Sequence, residues 1–177
     1  MYTVFRSVVP LAYAFISLLG GCATTSAGHY DAGSQRMCQG KHCYRTGTLS
    51  SSWQIVHVEQ ASVSYFNRET GAIIESNATC RDDAEATPLE ILTNYLLLGY
   101  TERKYRTTEK VPLVNREALH TVVEAKLDGV PMVLDLYVMK RNGCIFDLSF
   151  ASPPAQFSDG SAAFSQFVQG FVDESKS

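Results

Sequence analysis

His120, Tyr137, Asp135, Asp147 and Ser149 are the side chains here whose types and spacing suit acid–base chemistry. They fall in three successive stretches that alternate along the chain, beginning "EALHTVVEAKL", "VPMVLDLYVMK" and "CIFDLSF". Paired as antiparallel strands, these stretches are expected to set His120 across from Tyr137 and Tyr137 across from Asp147. Val122, Asp135 and Ser149 would form a parallel row. An imidazole beside a carboxylate can move a proton, and neighbouring hydroxyls can hold a polar ligand. The sequence supplies no oxyanion hole and no second base. It also lacks G-x-S-x-G, H-E-x-x-H, a phosphate loop and G-x-G-x-x-G. The same patch reads equally as a mixed sheet surface whose polar groups satisfy one another. No catalytic residue is expected, and the chain reads as a non-enzyme, with a hydrolase using His120 and Asp147 as an alternative.

Those residues depend on a frame of strands and helices. In the first stretch Leu119, Thr121, Val123, Ala125 and Leu127 alternate onto one face, and Asp128-Gly129 turns the chain. Val130, Met132, Leu134, Leu136 and Val138 carry the apolar face of the second, and Cys144, Phe146, Leu148 and Phe150 that of the third. If all three sets share one core, a two-residue turn joins the first pair. The second pair then needs a three-residue turn, Arg141 to Gly143. "TPLEILTNYLLLG" reads as a helix with Thr87 as cap, Pro88 in the first turn, Glu90 three residues after the cap and Gly99 as its end. Its apolar residues run round most of the helix, which predicts burial on more than one side. A second helix begins near Ser158 or Asp159 and places Phe164, Phe167, Val168 and Phe171 on one stripe. Trp53–Val58, Ser62–Phe66, Ala72–Ser76 and Thr101–Glu109 read as further strands. Arg103, Lys104 and Arg106 around Tyr105 suit the solvated side of an edge strand.

The amino-terminal segment has a different character. Arg6 precedes an uncharged apolar run, Val8 to Leu19. As a helix this run would reach only ~18 Å, short of the ~30 Å hydrocarbon core, so residues 1–21 read as a cleaved export signal rather than a span. The four residues Leu19-Gly20-Gly21-Cys22 resemble the bacterial lipobox. That resemblance implies that the Cys22 thiol receives a diacylglycerol, that the chain is cut before it, and that palmitate-class acyl chains anchor it to a membrane. Ala23 in the following position implies forwarding to an outer membrane, facing the periplasm or the surface.

Residues 22–50 are rich in Ser, Thr, Gly and Ala and read as a flexible tether carrying Cys38 and Cys43. With Cys22 acylated, Cys38, Cys43, Cys80 and Cys144 remain. An even number in an exported protein suggests disulfides, with three possible connectivities. A local Cys38–Cys43 loop with a Cys80–Cys144 staple is favoured. Cys38, His42 and Cys43 lack metal-site spacing and a second ligand pair, so neither metal nor cofactor is expected. Asn77-Ala78-Thr79 matches a glycosylation sequon, here a chance match near the end of a strand.

The net charge of −3 argues against nucleic acid as a partner. Residues 51–177 suffice for one domain of class α+β, a twisted antiparallel sheet with two main helices packed on it. The order of early short strands, helix, long strands joined by Asp128-Gly129 and Asn142-Gly143, and a Phe-bearing last helix resembles the PsbP-like α/β/α sandwich over roughly Ser51 to Val172. It is also similar to lipoproteins of Gram-negative bacteria. The expected function is that of a non-catalytic envelope lipoprotein whose domain binds a protein or envelope component. A carrier or sensor of a small apolar ligand, held between helix and sheet, is the alternative suggested by the Leu-rich first helix.

Overall fold

The computed structural model describes residues 28–59 and 62–175, except for the side chain of Glu59. Three short strands come first: β1 (His29–Asp31), β2 (Arg36–Gln39) and β3 (His42–Arg45). Then follow β4 (Trp53–Glu59), β5 (Ser62–Asn67), β6 (Ala72–Cys80), α1 (Leu89–Leu96), β7 (Tyr100–Leu113), β8 (Arg116–Leu127), β9 (Val130–Arg141) and β10 (Cys144–Ser152). A 3-10 turn at Pro154–Gln156 leads into α2 (Phe157–Gln169), and β11 (Val172–Asp173) closes the series. Seven strands make one antiparallel sheet in the order β4-β5-β6-β10-β9-β8-β7, and β1-β2-β3-β11 make a second. The class is α+β, as the sequence predicts.

Each helix buries its stripe on a different face of the large sheet. Leu89 and Leu92 of α1 pack with Leu119, Val138 and Ile145, and Leu97 just beyond it packs with Val123, Ala125, Leu134 and Leu136. On the other face Phe164, Phe167, Val168 and Phe171 meet Tyr65, Ile74, Phe146, Leu148 and Phe150. The stripe read from the sequence is thus the buried one, at 5 % exposure or less throughout.

This two-faced burial corrects the expected register of the β9–β10 hairpin. Arg141 pairs with Cys144, so the turn is the two residues Asn142-Gly143, with φ of 52° and 73°. Both angles are left-handed, the conformation a two-residue turn of the favoured twist requires and Asn-Gly readily adopts. Parity therefore flips: Leu134, Leu136 and Val138 face α1, while Phe146, Leu148 and Phe150 face α2. The apolar sets of neighbouring strands serve two cores rather than one. The Asp128-Gly129 turn joins Leu127 to Val130 as predicted.

Three further expectations change. First, α1 begins at Leu89 with no side-chain cap, and Lys140 Nζ instead donates to the oxygens of Glu85 and Thr87 at 2.7 and 2.9 Å. Second, α1 is buried on one side only: Ile91 and Tyr95, at i and i+4, are 44 % and 59 % exposed, and Leu98 in the turn just after the helix is 69 % exposed. Third, the supposed tether is folded over residues 29–45. Met37 and Tyr44 are buried in the α2-side core, and Tyr30 bonds through its hydroxyl to that of Tyr65. The chain then runs so close to α2 that Gly47 N donates to Phe167 O at 2.9 Å. A Cβ on Gly47 would lie 2.1 Å from Gln166 O, so only glycine fits without moving backbone.

Strand β7 lies at the sheet edge, where its basic stretch was expected. Arg106 pairs with Glu124 at 2.7 Å, and Arg103 Nε donates to Tyr100 O at 3.0 Å.

Candidate functional site

Because α1 covers only the β8–β9–β10 side of its face, the rest of that face is open beside the helix. A groove of about 280 Å³ lies there. Its floor comes from adjacent strands in register, Asn77 of β6 opposite Asp147 of β10 and Glu75 opposite Ser149. Leu96, Leu134, Leu136, Ile73 and Ala151 give it apolar walls, and Tyr100 stands at the junction of helix and strand. Asn77 Nδ2 donates to Asp147 Oδ2 at 3.2 Å, and Ser62 Oγ donates to Glu75 Oε1 at 2.9 Å. Burial pushes the Asp147 carboxyl up to about 6, with Glu75 adding to the rise and the Asn77 bond opposing it. Burial, and then Glu75, also raise the Tyr100 hydroxyl. A carboxyl held in so poor an environment is costly for folding, and perturbed carboxyls in clefts gather at working sites. The groove suits a ligand that has an apolar body and a hydrogen-bond-donating or cationic head.

The predicted polar patch does not form. His120 does face Tyr137, and the two rings stack at 4.3 Å. Tyr137, however, faces Leu148, while Asp147 pairs with Val138 on the opposite face of the sheet. His120, Tyr137 and Asp135 therefore lie on the α2 face, and Asp147 and Ser149 on the α1 face. The one-residue change in turn length moves every β10 side chain across the sheet. On its own face His120 Nε2 donates to Asp135 Oδ1 at 2.8 Å, and Nδ1 is 3.5 Å from Glu109 Oε1. The Asp135 bond, with help from Glu109, raises the His120 pKa against the effect of burial. With a carboxylate near each nitrogen, the ring is engaged by Asp135 and Glu109 rather than free to act as a base. Asn77, Glu75 and Tyr100 escaped the sequence reading. The alternation of "AIIESNATC" onto two faces was the available signal for the first two.

These titrations set a pH dependence. Between the ordinary Asp147 value of 3.8 and its folded value of about 6, the folded chain holds a proton the unfolded chain has released. Stability accordingly falls as pH rises through that window and stays lowered above it, by about 3 kcal/mol. His120 acts in the same direction: its contribution is complete below the unfolded value of 6.5 and is lost as pH rises through the raised folded value. Replacing Asp147 with Asn should therefore stabilise the protein at neutral pH, leave it nearly unchanged near pH 4, and flatten the slope between. Calorimetric Tm values for both proteins across this range check this. Parallel curves would show that Asp147 is not the group responsible.

Two disulfides are present, Cys38–Cys43 across the β2–β3 hairpin and Cys80–Cys144 between β6 and β10. Among the described residues one group of three metal-type side chains comes together, His42 with Cys80 and Cys144, their ligand atoms all within 4.8 Å of one another. The sequence alone offers only Cys38, His42 and Cys43 as a metal set, and their spacing speaks against it. The hairpin turns His42 away from its chain neighbours and toward the large sheet. Cys22, with the signal and lipobox, lies outside the described residues. No helix among the described residues is long and apolar enough to cross a membrane.

No family model and no curated protein sequence matches the chain. Solved structures do. The cyanobacterial PsbP protein CyanoP of Synechocystis aligns with a TM-score of 0.51 at 10 % identity, over 93 % of this chain and 99 % of its own. The fold is PsbP-like. LpqN of Mycobacterium tuberculosis, described as involved in cell envelope biogenesis, aligns at 0.53 and 9 % identity over 73 % of this chain and 83 % of its own. A Pseudomonas aeruginosa protein of unknown function, PA94, aligns at 0.54 and 11 % identity, covering 69 % and 97 %. At such identities the likeness carries the fold and not the residues of a site.

Proposed function

We propose that this chain is a non-catalytic binding module of the cell envelope, anchored by lipid on Cys22, that grips a protein or other envelope component with the α1 side of its sheet. The observation that carries this reading is the exposed ridge Ile91, Tyr95 and Leu98. Large uncovered apolar patches mark contact surfaces, and this one spans α1 and the turn after it. The groove with Asp147 lies along the same helix and adds a polar feature that could fix orientation. Cysteine usage suits an oxidising compartment. The structural neighbours include a protein involved in cell envelope biogenesis, which is compatible with that location.

Photo-crosslinking residues placed at Tyr95 and Leu98 of the full chain in its native envelope should each capture the same partner, whereas one at Lys104 on the sheet edge should not. Tyr95→Ala with Leu98→Asp should weaken capture at least about tenfold, as loss of an interface anchor does, with the circular dichroism spectrum unchanged. Absence of any common adduct at the ridge would remove the reading. Lipid on Cys22 is read separately, as the mass of the amino-terminal peptide.

The groove favours a second reading, a carrier or sensor of a small ligand. Its Asp147 and Glu75 alter the ligand expected from the sequence: an amphiphile with a donor or cationic head, rather than a purely apolar one.

A further inference from the structure

We propose that Cys80, Cys144 and His42 form a redox-gated site for a thiophilic metal ion, closed while the two sulfurs are bonded and opened when a dithiol reduces them. The three residues come from separate parts of the chain. Cys80 ends β6, Cys144 begins β10, and the two are directly paired across the strands. His42 opens β3 of the other sheet, and its Nδ1 lies 3.2 Å from Cys144 Sγ, across 102 residues of sequence. The strand pairing of the β2–β3 hairpin, from Arg36↔Arg45 to Gln39↔His42, fixes that approach. Two thiolates and an imidazole around one point are the donor set of soft and borderline ions such as Cu(I) and Zn²⁺. Bonds of about 2.3 Å to sulfur and 2.0 Å to nitrogen set such donors roughly 3.5–4 Å apart. The present spread of 4.8 Å at most lies within side-chain rotation of that geometry.

Access is available. An open cavity of about 730 Å³ is lined by His42, Cys80, Lys41, Arg81, Asp82 and Gly143. Cys144 is fully buried and Cys80 is partly exposed, so an incoming thiolate meets Cys80 first. The attacking sulfur bonds to Cys80 Sγ, the Cys80–Cys144 bond breaks, and Cys144 leaves as a thiolate beside His42. The reductant's second thiol then displaces Cys80 and closes its own disulfide, so two electrons pass from the dithiol to the pair. Metal binding displaces any remaining thiol protons, and water from the open cavity would take a fourth position.

The test uses the full chain, reduced with a dithiol, freed of reductant anaerobically and titrated with Zn²⁺ against a chromophoric chelator. One equivalent should bind to reduced protein and none to oxidised protein. With Co²⁺ in place of zinc, sulfur-to-metal charge transfer should report two thiolates. Cys80→Ser and Cys144→Ser should each abolish tight uptake, and His42→Ala should weaken it at least about tenfold. A Cys38→Ser/Cys43→Ser variant should still bind. The proposal fails if oxidised protein binds equally, if His42→Ala changes nothing, or if uptake follows Cys38 and Cys43. It fails too if reduction abolishes the far-UV β-sheet signal and zinc does not restore it.

Discussion

Phe164→Ala should destabilise this protein by about 3–5 kcal/mol, the cost of emptying a fully enclosed aromatic site. Phe164 is 1 % exposed and lies at the centre of the α2-side core. Its ring is 5.6 Å from that of Phe150, 6.0 Å from Tyr137 and 6.4 Å from Phe167. Removing it costs the transfer energy of the ring and leaves a void that these neighbours, set on two strands and a helix, fill only in part. Urea unfolding followed by the single Trp53, which stacks edge-on to Phe150 at 6.4 Å, would report the loss directly. The comparison is Leu98→Ala in the exposed turn that follows α1. Its side chain already contacts water, so its cost should stay within about 0.5 kcal/mol. Equal costs at the two sites would mean that α2 does not pack as described. Because the two helices lie on opposite faces, the contrast also separates the face that holds the fold from the face proposed to bind.

Removing the Cys80–Cys144 disulfide by a double change to Ser should cost about 4 kcal/mol, and removing Cys38–Cys43 about 2 kcal/mol, in the loop-entropy account. The difference follows from the sequence separations of 64 and 5 residues, since a longer closed loop restricts the unfolded chain more. The first loss should lower Tm by roughly 8–16 °C for a domain of this size. It should still leave the fold in place, because β6 and β10 pair over eight successive residues from Cys144↔Cys80 to Ala151↔Ile73. Calorimetry of the two double variants decides this. A larger loss from the short loop would show that Cys38–Cys43 holds β1–β3 against the core, and that the entropy of the unfolded chain is the lesser effect.

The sequence was most legible where one physical requirement governed several residues together. The Phe164–Phe171 stripe has helical spacing and lies where expected. The Asp128-Gly129 turn forced the β8–β9 register, and His120 faces Tyr137 as that register demands. Reading failed where two requirements overlapped. Strand β10 buries apolar residues on both faces, Phe146, Leu148 and Phe150 toward α2 and Ile145 toward α1. Alternation alone cannot tell which set meets which neighbour, so a turn one residue too long satisfied the pattern equally well. That single residue carried Asp147 and Ser149 to the wrong side and built a patch the fold does not contain.

The tether is a similar case. Tyr30, Met37 and Tyr44 are too few and too widely spaced to make a periodic signal, and they join a core built from distant elements, Tyr30 meeting Tyr65 and Tyr44 meeting Phe146 and Phe171. From the sequence alone came the α+β class, the hairpins, the buried stripe of the last helix and the supply of cysteines, because these follow from local spacing and from the conformations that particular residues allow. Tertiary structure alone decided which face each strand turns to which helix, that Asp147 shares a groove with Glu75 and Tyr100, and that His42 meets Cys144. Those are meetings between residues far apart in the chain, and no local preference encodes the packing that joins them.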